Sequence, residues 1–354
     1  MLLYALTFVL AFLLSIYGVP LARQAALKYG IVDSPDGKLK HQREPVPYLG
    51  GPAVYVAFLI SLALTFEFRQ DVLGIVLAGT LVMMLGLIDD FGVLSPGTKL
   101  AGQLLAVFVL IKSGIRIEIA ALPDWLALTL TVLWMIGIIN AFNLLDIMDG
   151  LAAGVGFVCS MLLFVVALLS GDTMIAVLLV ALAGSLLGFL RHNFYPARIY
   201  LGDSGALFLG LMLGALAMIG QYTAHHRISL LTPLLVLGVP IYDTLFVMYI
   251  RFLRGLPVCL GSPDHMAIRL RHWGLTVPQV VVLSYLATAV VGGVGLLVMV
   301  VEQDVAIVLG GVVLIAFGLA TIVLTRLDVT HRSAALMGDA VLQETQEQGG
   351  ETRP

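Results

Sequence analysis

Residues 72–92 read VLGIVLAGTLVMMLGLIDDFG, an apolar run that ends in two adjacent aspartates. A helix that crosses the hydrocarbon core of a bilayer needs about 20 mostly apolar residues, and this run has that character. The rest of the chain repeats the pattern, because 60% of its 354 residues are hydrophobic and only 12% are charged. Soluble domains carry about 45–50% apolar and about 25% charged residues. The sequence therefore predicts an integral membrane protein and excludes a soluble globular class.

Hydropathy divides the chain into ten or eleven such segments, so the predicted fold class is an all-α, polytopic integral membrane protein. The segments lie at roughly 2–22, 48–66, 72–89, 99–113, 121–142, 151–170, 173–190, 204–222, 230–250, 278–300 and 305–325. The first is expected to be a span and not a cleavable signal peptide, because no basic residue precedes Arg23. Residues 1–326 are predicted to form one transmembrane domain, and residues 327–354 a polar, disordered cytoplasmic tail.

Lysine and arginine residues are distributed unequally between the two sets of loops. Four of the nineteen fall on one side, and the other fifteen on the opposite side. The four are Arg69, Lys112, Arg116 and Arg227. Because cytoplasmic loops carry the excess of positive residues, the N-terminus is predicted to lie outside and the C-terminus in the cytoplasm. The cytoplasmic loops also hold most of the unusual polar residues, so chemistry is expected on that face.

The aspartate pair, Asp89 and Asp90, is placed where two acids are costly. A charge costs about 2.5–3.5 kcal/mol at the bilayer centre, and adjacent carboxylates at a helix C-terminus repel each other unless a cation compensates. Such a pair, taken alone, is more often a polar helix stop than a catalytic group. Lys99 follows nine residues later and is a candidate counter-ion or phosphate ligand.

A second polar cluster reads NAFNLLDIMDGLAAG, residues 140–154. Its polar residues recur at every third position, as Asn140, Asn143, Asp146 and Asp149. If the helix continues, this spacing places all four along one face, where their oxygens would suit a hard cation such as Mg²⁺. The alternative is a polar helix end followed by a turn.

The third cluster is IYLGDSGALFLG, residues 199–210, in which Asp203 and Ser204 lie between two glycines directly before an apolar run. The backbone N–H groups of such a turn can bind an anion at the helix N-terminus. For the tetrad GDSG alone, a simple N-cap by its Asp or Ser is the better explanation. Tyr200 could stack on a base, although a lone aromatic residue more often belongs to the interfacial belt.

A fourth stretch, residues 261–274, carries His265, Arg269, Arg271 and His272. Basic residues beside a membrane usually reflect the positive-inside rule and lipid headgroups, yet arginines also suit bidentate phosphate contacts. Acidic groups that can hold a metal would thus share one face with cationic groups. That combination is typical of a phosphoryl-transfer site, and the membrane scaffold suggests a lipid substrate.

The stretches LIDDFG…TKLAGQ, NAFNLLDIMDGLAAG and IYLGDSGALFLG occur in the order and spacing of the polyprenyl-phosphate N-acetylhexosamine-1-phosphate transferases. The chain resembles these enzymes over about residues 1–325, and among them it looks most like the bacterial undecaprenyl-phosphate GlcNAc-1-phosphate transferases. The resemblance implies that undecaprenyl phosphate attacks the β-phosphorus of a UDP-sugar and that UMP leaves. It also implies a requirement for Mg²⁺ or Mn²⁺ and a start to lipid-linked cell-envelope glycan synthesis, such as that of lipopolysaccharide O-antigen.

Partners and location follow from the same resemblance. The expected partners are a UDP-sugar such as UDP-GlcNAc, undecaprenyl phosphate and membrane lipid, with no nucleic acid. The expected location is the bacterial inner membrane, where residues 1–326 would form the catalytic domain with its active-site loops in the cytoplasm. Relatives of this kind are often dimers, although no feature of this sequence indicates one.

Roles for individual residues are carried over by motif position. Asn143 and Asp203 match the metal contacts of the family. Asp89 resembles the residue that deprotonates or positions the lipid phosphate, and Asp90 would support it. The remaining matched positions are expected to bind substrate, and they are Lys99, Asp146, Asp149, Asn193 and Tyr200.

One stretch departs from the family pattern. Relatives carry a His-x-His-His element in the last cytoplasmic loop, where this chain reads DHMAIRLRH. Only His265 aligns, because Ala267 and Ile268 occupy the other histidine positions. Arg269 and Arg271 could bind the diphosphate instead, so the identity of the sugar stays open.

Two other classes of protein compete with a transferase. A cation-coupled secondary transporter would also use acids within the membrane, but its sites lie near the bilayer midplane and these acids lie at the cytoplasmic ends of helices. A non-catalytic, lipid-binding relative could have lost activity together with the histidines. An assay with UDP-sugars, polyprenyl phosphate and Mg²⁺ separates these hypotheses.

Overall fold

The computed structural model describes residues 1–33, 46–67, 70–92, 94–119, 122–220, 222, 227–257, 262 and 264–327. The predicted polar tail beyond Leu327 lies outside the described residues.

The described chain is built almost entirely from helices. They are α1 (Leu2–Tyr29), α2 (Gly50–Thr65), α3 (Gln70–Asp90), α4 (Pro96–Lys112), α5 (Asp124–Leu145), α6 (Leu151–Leu169), α7 (Thr173–Asn193), α8 (Gly202–Met218), a 3-10 helix (Arg227–Leu231), α9 (Thr232–Val236), α10 (Gly238–Leu253), α11 (Met266–His272), α12 (Val277–Val300) and α13 (Gln303–Arg326). Two short antiparallel strands, β1 (Val32–Asp33) and β2 (Val46–Pro47), pair Val32 with Pro47.

Each predicted hydrophobic segment contains a helix, and the all-α, multi-pass membrane architecture is confirmed. Among the described residues, seven helices are long and apolar enough to cross a membrane: α1, α3, α5, α6, α7, α12 and α13. The ninth predicted segment is broken, because Ile228–Val236 and Gly238–Leu253 meet at a bend of 77° and together make an eighth candidate span. Helices α2, α4 and α8 contain 16, 17 and 17 residues, short of the roughly 20 that a full crossing needs.

The interior of the protein is formed by α6, α7 and α8. Helix α7 packs between α1 and α6, and α8 packs against α3 and α5. Almost every residue of α8 from Ser204 to Ala217 is buried. By contrast, α13 exposes most of its apolar side chains, as expected for a helix that faces lipid.

Glycines allow three helices to meet closely where α8 begins. A Cβ atom added to Gly86 of α3 would lie 2.5 Å from the backbone carbon and oxygen of Asp203. A Cβ atom on Gly51 of α2 would lie 2.2 Å from the backbone nitrogen of Gly205. Small residues permit this backbone-to-backbone contact, as they do at helix interfaces in membranes. The start of α8 is therefore fixed in position by its neighbours.

Candidate active site at the meeting of helix ends

The ammonium group of Lys99 lies at the centre of the candidate site. Its Nζ atom is 2.7 Å from Asp89 Oδ2, 2.7 Å from Asp203 Oδ2 and 3.0 Å from Asn143 Oδ1. These partners come from three helices, since Asp89 lies in the last turn of α3, Asn143 in the last turn of α5 and Asp203 in the first turn of α8. The ammonium group of Lys99 thus brings together three other residues of the motifs. We call these four residues, Asp89, Lys99, Asn143 and Asp203, the Lys99 cluster.

Asn143 and Asp203, the predicted metal contacts, also contact each other. Asn143 Nδ2 donates to Asp203 Oδ1 at 2.7 Å, while the other oxygen of Asp203 accepts from Lys99. The Asp203 side chain is about one-third exposed, whereas those of Asp89 and Lys99 are more enclosed. The cluster is therefore held firmly on its inner side and open to solvent on the side of Asp203.

The side chain of Asp90 contacts a different part of the site from that of Asp89. Its carboxylate accepts hydrogen bonds from the backbone nitrogens of Asp203 at 2.7 Å and of Ser204 at 3.2 Å. These groups are unsatisfied donors at the start of α8, where a negative charge also interacts favourably with the helix dipole. Within the described structure, the N-cap residue Leu201 offers no side-chain bond. The helix is capped by Asp90 of α3, and the local cap by Asp203 or Ser204 considered for GDSG is wrong.

Helix α5 ends earlier than the three-residue spacing predicts. It stops at Leu145, so Asp146 and Asp149 lie in the connection to α6, and the continuous face of four polar residues is wrong. Within α5, Asn140 turns to Gln103 of α4, and the two amides donate to each other at 2.9 and 3.3 Å. Gln103, the last residue of the motif stretch TKLAGQ, is buried and was assigned no role from the sequence.

Asp146 and Asp149, the two acids in the connection between α5 and α6, have different surroundings. Asp146 is half-buried, and its burial, reinforced by the carboxylates of Asp203, Asp90 and Asp149, raises its pKa to about 8. Burial also raises the pKa of Asp149, whose Oδ2 accepts a hydrogen bond from the backbone nitrogen of Ala197 at 2.9 Å. Asp146 lies close enough to the Lys99 cluster to interact with it electrostatically.

Asn193 and Tyr200, which are expected to bind substrate, lie near each other in the chain: Asn193 is the last residue of α7, and Tyr200 belongs to the connection from α7 to α8. Asn193 is buried, accepts from the backbone nitrogen of Gly150 at 3.0 Å and donates to the backbone oxygen of Ile199 at 3.0 Å. The backbone of Tyr200 bonds to Pro47 and Gly50 at 2.8 and 3.0 Å. Both residues thus tie connecting segments together at the same end of the molecule as the acids.

The predicted basic cluster is mostly turned inward. The guanidinium of Arg269 is only 1% exposed, donates to Asp264 Oδ1 at 2.7 Å and also donates to the backbone oxygens of Leu324 and Leu327 at 2.8 and 3.0 Å. It therefore caps the end of α13. Asp264, which the sequence did not identify, also accepts from Arg254 Nη1 at 2.9 and 3.0 Å.

His265 is buried like Arg269, whereas Arg271 is exposed. His265 is buried with its Nδ1 atom 2.7 Å from Asp243 Oδ2, and Asp243 Oδ1 accepts from the backbone nitrogen of Met266 at 2.7 Å. Arg271 is exposed and donates to the backbone oxygen of Leu275 at 2.9 Å. Among the described residues, none of these basic groups forms a hydrogen bond or ion pair with the Lys99 cluster.

The residues of the cluster fit a divalent cation by their chemistry. Asp89, Asp203 and Asn143 offer carboxylate and amide oxygens, which are the donors that Mg²⁺ and Mn²⁺ prefer. No group of three or more His, Cys, Asp or Glu side chains converges on a possible metal position in the described part of the chain. A metal held here would depend on the two acids, the amide, water and substrate oxygens.

The fold and the site define a class of protein: a multi-pass membrane protein that gathers acids, an amide and a lysine where helix ends meet, as a membrane enzyme would. A family model described as glycosyl transferase family 4 matches residues 72–221. This match contains Asp89, Lys99, Asn143 and Asp203.

Comparisons with individual relatives, which cover about four fifths of the chain, agree with the family match. The chain is 33% identical over 291 residues to a probable undecaprenyl-phosphate N-acetylglucosaminyl 1-phosphate transferase of Bacillus subtilis, covering 78% of this chain and 81% of that relative. It is 33% identical over 325 residues to a decaprenyl-phosphate N-acetylglucosaminephosphotransferase of Mycolicibacterium smegmatis, covering 81% and 80%. It is 32% identical over 297 residues to a phospho-N-acetylmuramoyl-pentapeptide-transferase of Halalkalibacterium halodurans, covering 76% and 88%. The chain belongs to glycosyl transferase family 4, among its polyprenyl-phosphate sugar-phosphate transferases, and the resemblance inferred from the motifs is confirmed.

Proposed function

We propose that this protein transfers a sugar-1-phosphate, with GlcNAc-1-phosphate as the first choice, from a UDP-sugar to undecaprenyl phosphate. A lipid phosphate oxygen forms a bond to the β-phosphorus of the nucleotide sugar, and the bond from that phosphorus to the bridging oxygen breaks. UMP leaves with the bridging oxygen, and the diphospho-sugar stays on the lipid. The product would start the synthesis of a lipid-linked cell-envelope glycan.

One observation carries this proposal: Asp89, Asn143 and Asp203 converge within 3.0 Å of the Lys99 ammonium at the ends of membrane helices. Phosphoryl transfer needs little covalent chemistry from the protein, but it needs groups that position two charged phosphates and stabilise the charge that develops between them. A site with both anionic and cationic groups at the edge of a membrane helix bundle meets this need.

The two aspartates of LIDDFG are suited to different tasks. Asp90 is occupied by the backbone of α8, so Asp89 is the acid that faces the reacting groups. Asp89 would orient the lipid phosphate or accept its proton. Asn143 and Asp203, which contact each other at 2.7 Å, would hold Mg²⁺ or Mn²⁺. When bound, the metal neutralises charge on the phosphates of the nucleotide.

The remaining predicted contacts lie around this centre. Asp146 and Asp149 lie in the connection that follows α5, Asn193 ends α7, and Tyr200 lies in the connection from α7 to α8. We expect the nucleotide sugar to lie over these two connections. Arg271, which is exposed, can reach an outside phosphate in this conformation, whereas Arg269 and His265 would act on substrate only after a rearrangement.

The site is proposed to face the cytoplasm of a bacterium, across its inner membrane, with the N-terminus outside and the C-terminus inside. Support comes from the fifteen lysines and arginines that fall on the side of the acids. A reporter that works only in the cytoplasm should be active when it is fused after Arg326, and a reporter that works only in the periplasm should be inactive there. The opposite result would show that the topology is reversed.

The function is tested with the purified full chain, undecaprenyl phosphate, Mg²⁺ and a panel of UDP-sugars that includes UDP-GlcNAc. We expect equal amounts of UMP and lipid-linked sugar from one member of the panel. Activity should cease with EDTA and return with excess Mg²⁺ or Mn²⁺. Asp203→Asn should lose at least about a hundredfold in turnover, since a metal ligand supplies several kcal/mol of transition-state stabilisation. Absence of product across the panel would overturn the proposal.

A further inference from the structure

The Lys99 ammonium group uses its whole bonding capacity inside the site. A lysine ammonium has three N–H donors and no acceptor. Three oxygen atoms surround Nζ, one each from Asp89, Asn143 and Asp203, at 2.7, 3.0 and 2.7 Å. In this arrangement Lys99 acts as a counter-ion, the first of the two roles considered from the sequence, and no donor is left over for the second role, that of a substrate-phosphate ligand.

The same three oxygens are those that the proposed function gives to a divalent cation or to the lipid phosphate. We propose that Lys99 is an internal counter-cation that occupies the metal position in the metal-free enzyme and must leave it when the divalent ion binds. This inference rests on the proposed function of the site. It adds a competition between the protein's own cation and the metal.

Charge explains why the two cations compete. Asp89 and Asp203 together carry two negative charges, which one ammonium group half neutralises and one divalent ion neutralises fully. Asp90 cannot accept the ammonium instead without giving up the backbone nitrogens of Asp203 and Ser204. Ammonium and metal held by the same oxygen atoms would repel each other at short range in a partly enclosed site.

Displacement of Lys99 would couple metal loading to phosphate binding. Once the metal holds the oxygens of Asn143 and Asp203, the three donors of Lys99 become available to phosphate oxygens. The lysine stem is flexible, and its side chain is already 18% exposed, so the ammonium can move outward without a change in α4. Substrate phosphates would therefore gain a cationic ligand only in the metal-loaded enzyme.

The experiment measures binding of Mn²⁺ alone to the purified full chain by electron paramagnetic resonance, with no nucleotide or lipid phosphate present. Lys99→Met removes the competing charge, so we expect at least about tenfold tighter Mn²⁺ binding than in the wild type, together with a loss of transferase activity. Lys99→Arg keeps the charge and should bind Mn²⁺ no more tightly than the wild type. Lys112→Met, at the other end of α4 and exposed, is the matched control and should leave Mn²⁺ affinity unchanged.

If Lys99→Met folds poorly, thermal unfolding measured with and without Mn²⁺ provides a second test. Without metal, Lys99→Met and Lys99→Gln should melt below the wild type because Asp89 and Asp203 lose their counter-ion. Mn²⁺ should raise their melting temperatures more than that of the wild type. Unchanged or weaker Mn²⁺ binding in both neutral variants would overturn the inference and show that Lys99 supports the metal site. Because these measurements use no substrate, failure of the sugar panel would overturn only the proposed function.

Discussion

The carboxylate of Asp90 accepts a hydrogen bond from the backbone nitrogen of Asp203 at 2.7 Å, and this contact links the end of α3 to the start of α8. The neighbouring Asp89 points to Lys99, which in turn bonds to the side chain of Asp203. Two adjacent acids therefore hold one residue from two sides, through its backbone and through its lysine partner. The position of Asp203 depends on both.

The first prediction separates the two acids. Asp90→Asn removes the charge at the N-terminus of α8 and weakens its cap, so the free energy of unfolding should fall by about 0.5–2 kcal/mol and activity should fall with it. Asp89→Asn leaves the α8 cap intact and keeps an oxygen that can accept from Lys99, so it should lose at least about tenfold in turnover with a smaller loss of stability. Thermal unfolding and UMP release measure the two effects. Equal destabilisation by both substitutions would contradict this division of roles.

The second prediction concerns the close contact between α3 and α8. Gly86→Ala would bring a methyl group to 2.5 Å from the backbone of Asp203, so either helix must move and activity should be lost although no polar atom changes. Gly137→Ala in α5 is the matched control, because a Cβ atom there meets nothing within 4 Å. Wild-type turnover in Gly86→Ala would show that the site tolerates a displaced α8.

The third prediction tests the role of Asn193. Asn193→Ala leaves the buried N–H of Gly150 and the C=O of Ile199 without this partner, at a cost of about 1–3 kcal/mol for each group. We expect a lower melting temperature and an activity that recovers on cooling. If the residue instead contacts uridine, Asn193→Ala should raise KM for the UDP-sugar at an unchanged melting temperature.

The fourth prediction compares two arginines of α11. Arg269→Met leaves Asp264 buried with one cationic partner fewer and uncaps α13, so stability should fall by about 3–5 kcal/mol. Arg271→Met removes an exposed charge and a single bond to a nearby carbonyl, so stability should change by less than about 0.5 kcal/mol. If Arg271 contacts the diphosphate, its variant should raise KM without affecting folding. A stable Arg269→Met protein would contradict the capping role.

The helices could be predicted because hydrophobicity along the chain reports the membrane directly. The convergence of Asp89, Lys99, Asn143 and Asp203 also followed from the sequence, since all lie near helix ends on one side of the membrane. Which contacts those residues make could not be predicted. The capping of α8 by Asp90 joins residues far apart in sequence, and nothing local distinguishes the two acids of LIDDFG.

One expectation failed for an identifiable physical reason, and the substrate role expected of Arg269 stays a prediction although its contacts are structural. The three-residue spacing of Asn140 to Asp149 assumed that α5 continues, but spacing alone cannot show where a helix stops, and α5 stops at Leu145. Basic residues such as Arg269 suggested a phosphate-binding surface. An arginine can equally satisfy a buried acid and the last carbonyls of a helix, as Arg269 does, and composition does not distinguish these environments.

The ion pair of Asp89 and Lys99 also bears on how the chain enters the membrane during synthesis. Both residues belong to the hairpin of α3 and α4, so their charges can neutralise each other as soon as this hairpin leaves the translocon, before α8 has been made. Asn143 and Asp203 would then join a pair that already exists. The lysine that completes the site in the finished enzyme would thus first serve to make insertion of an acidic helix end less costly.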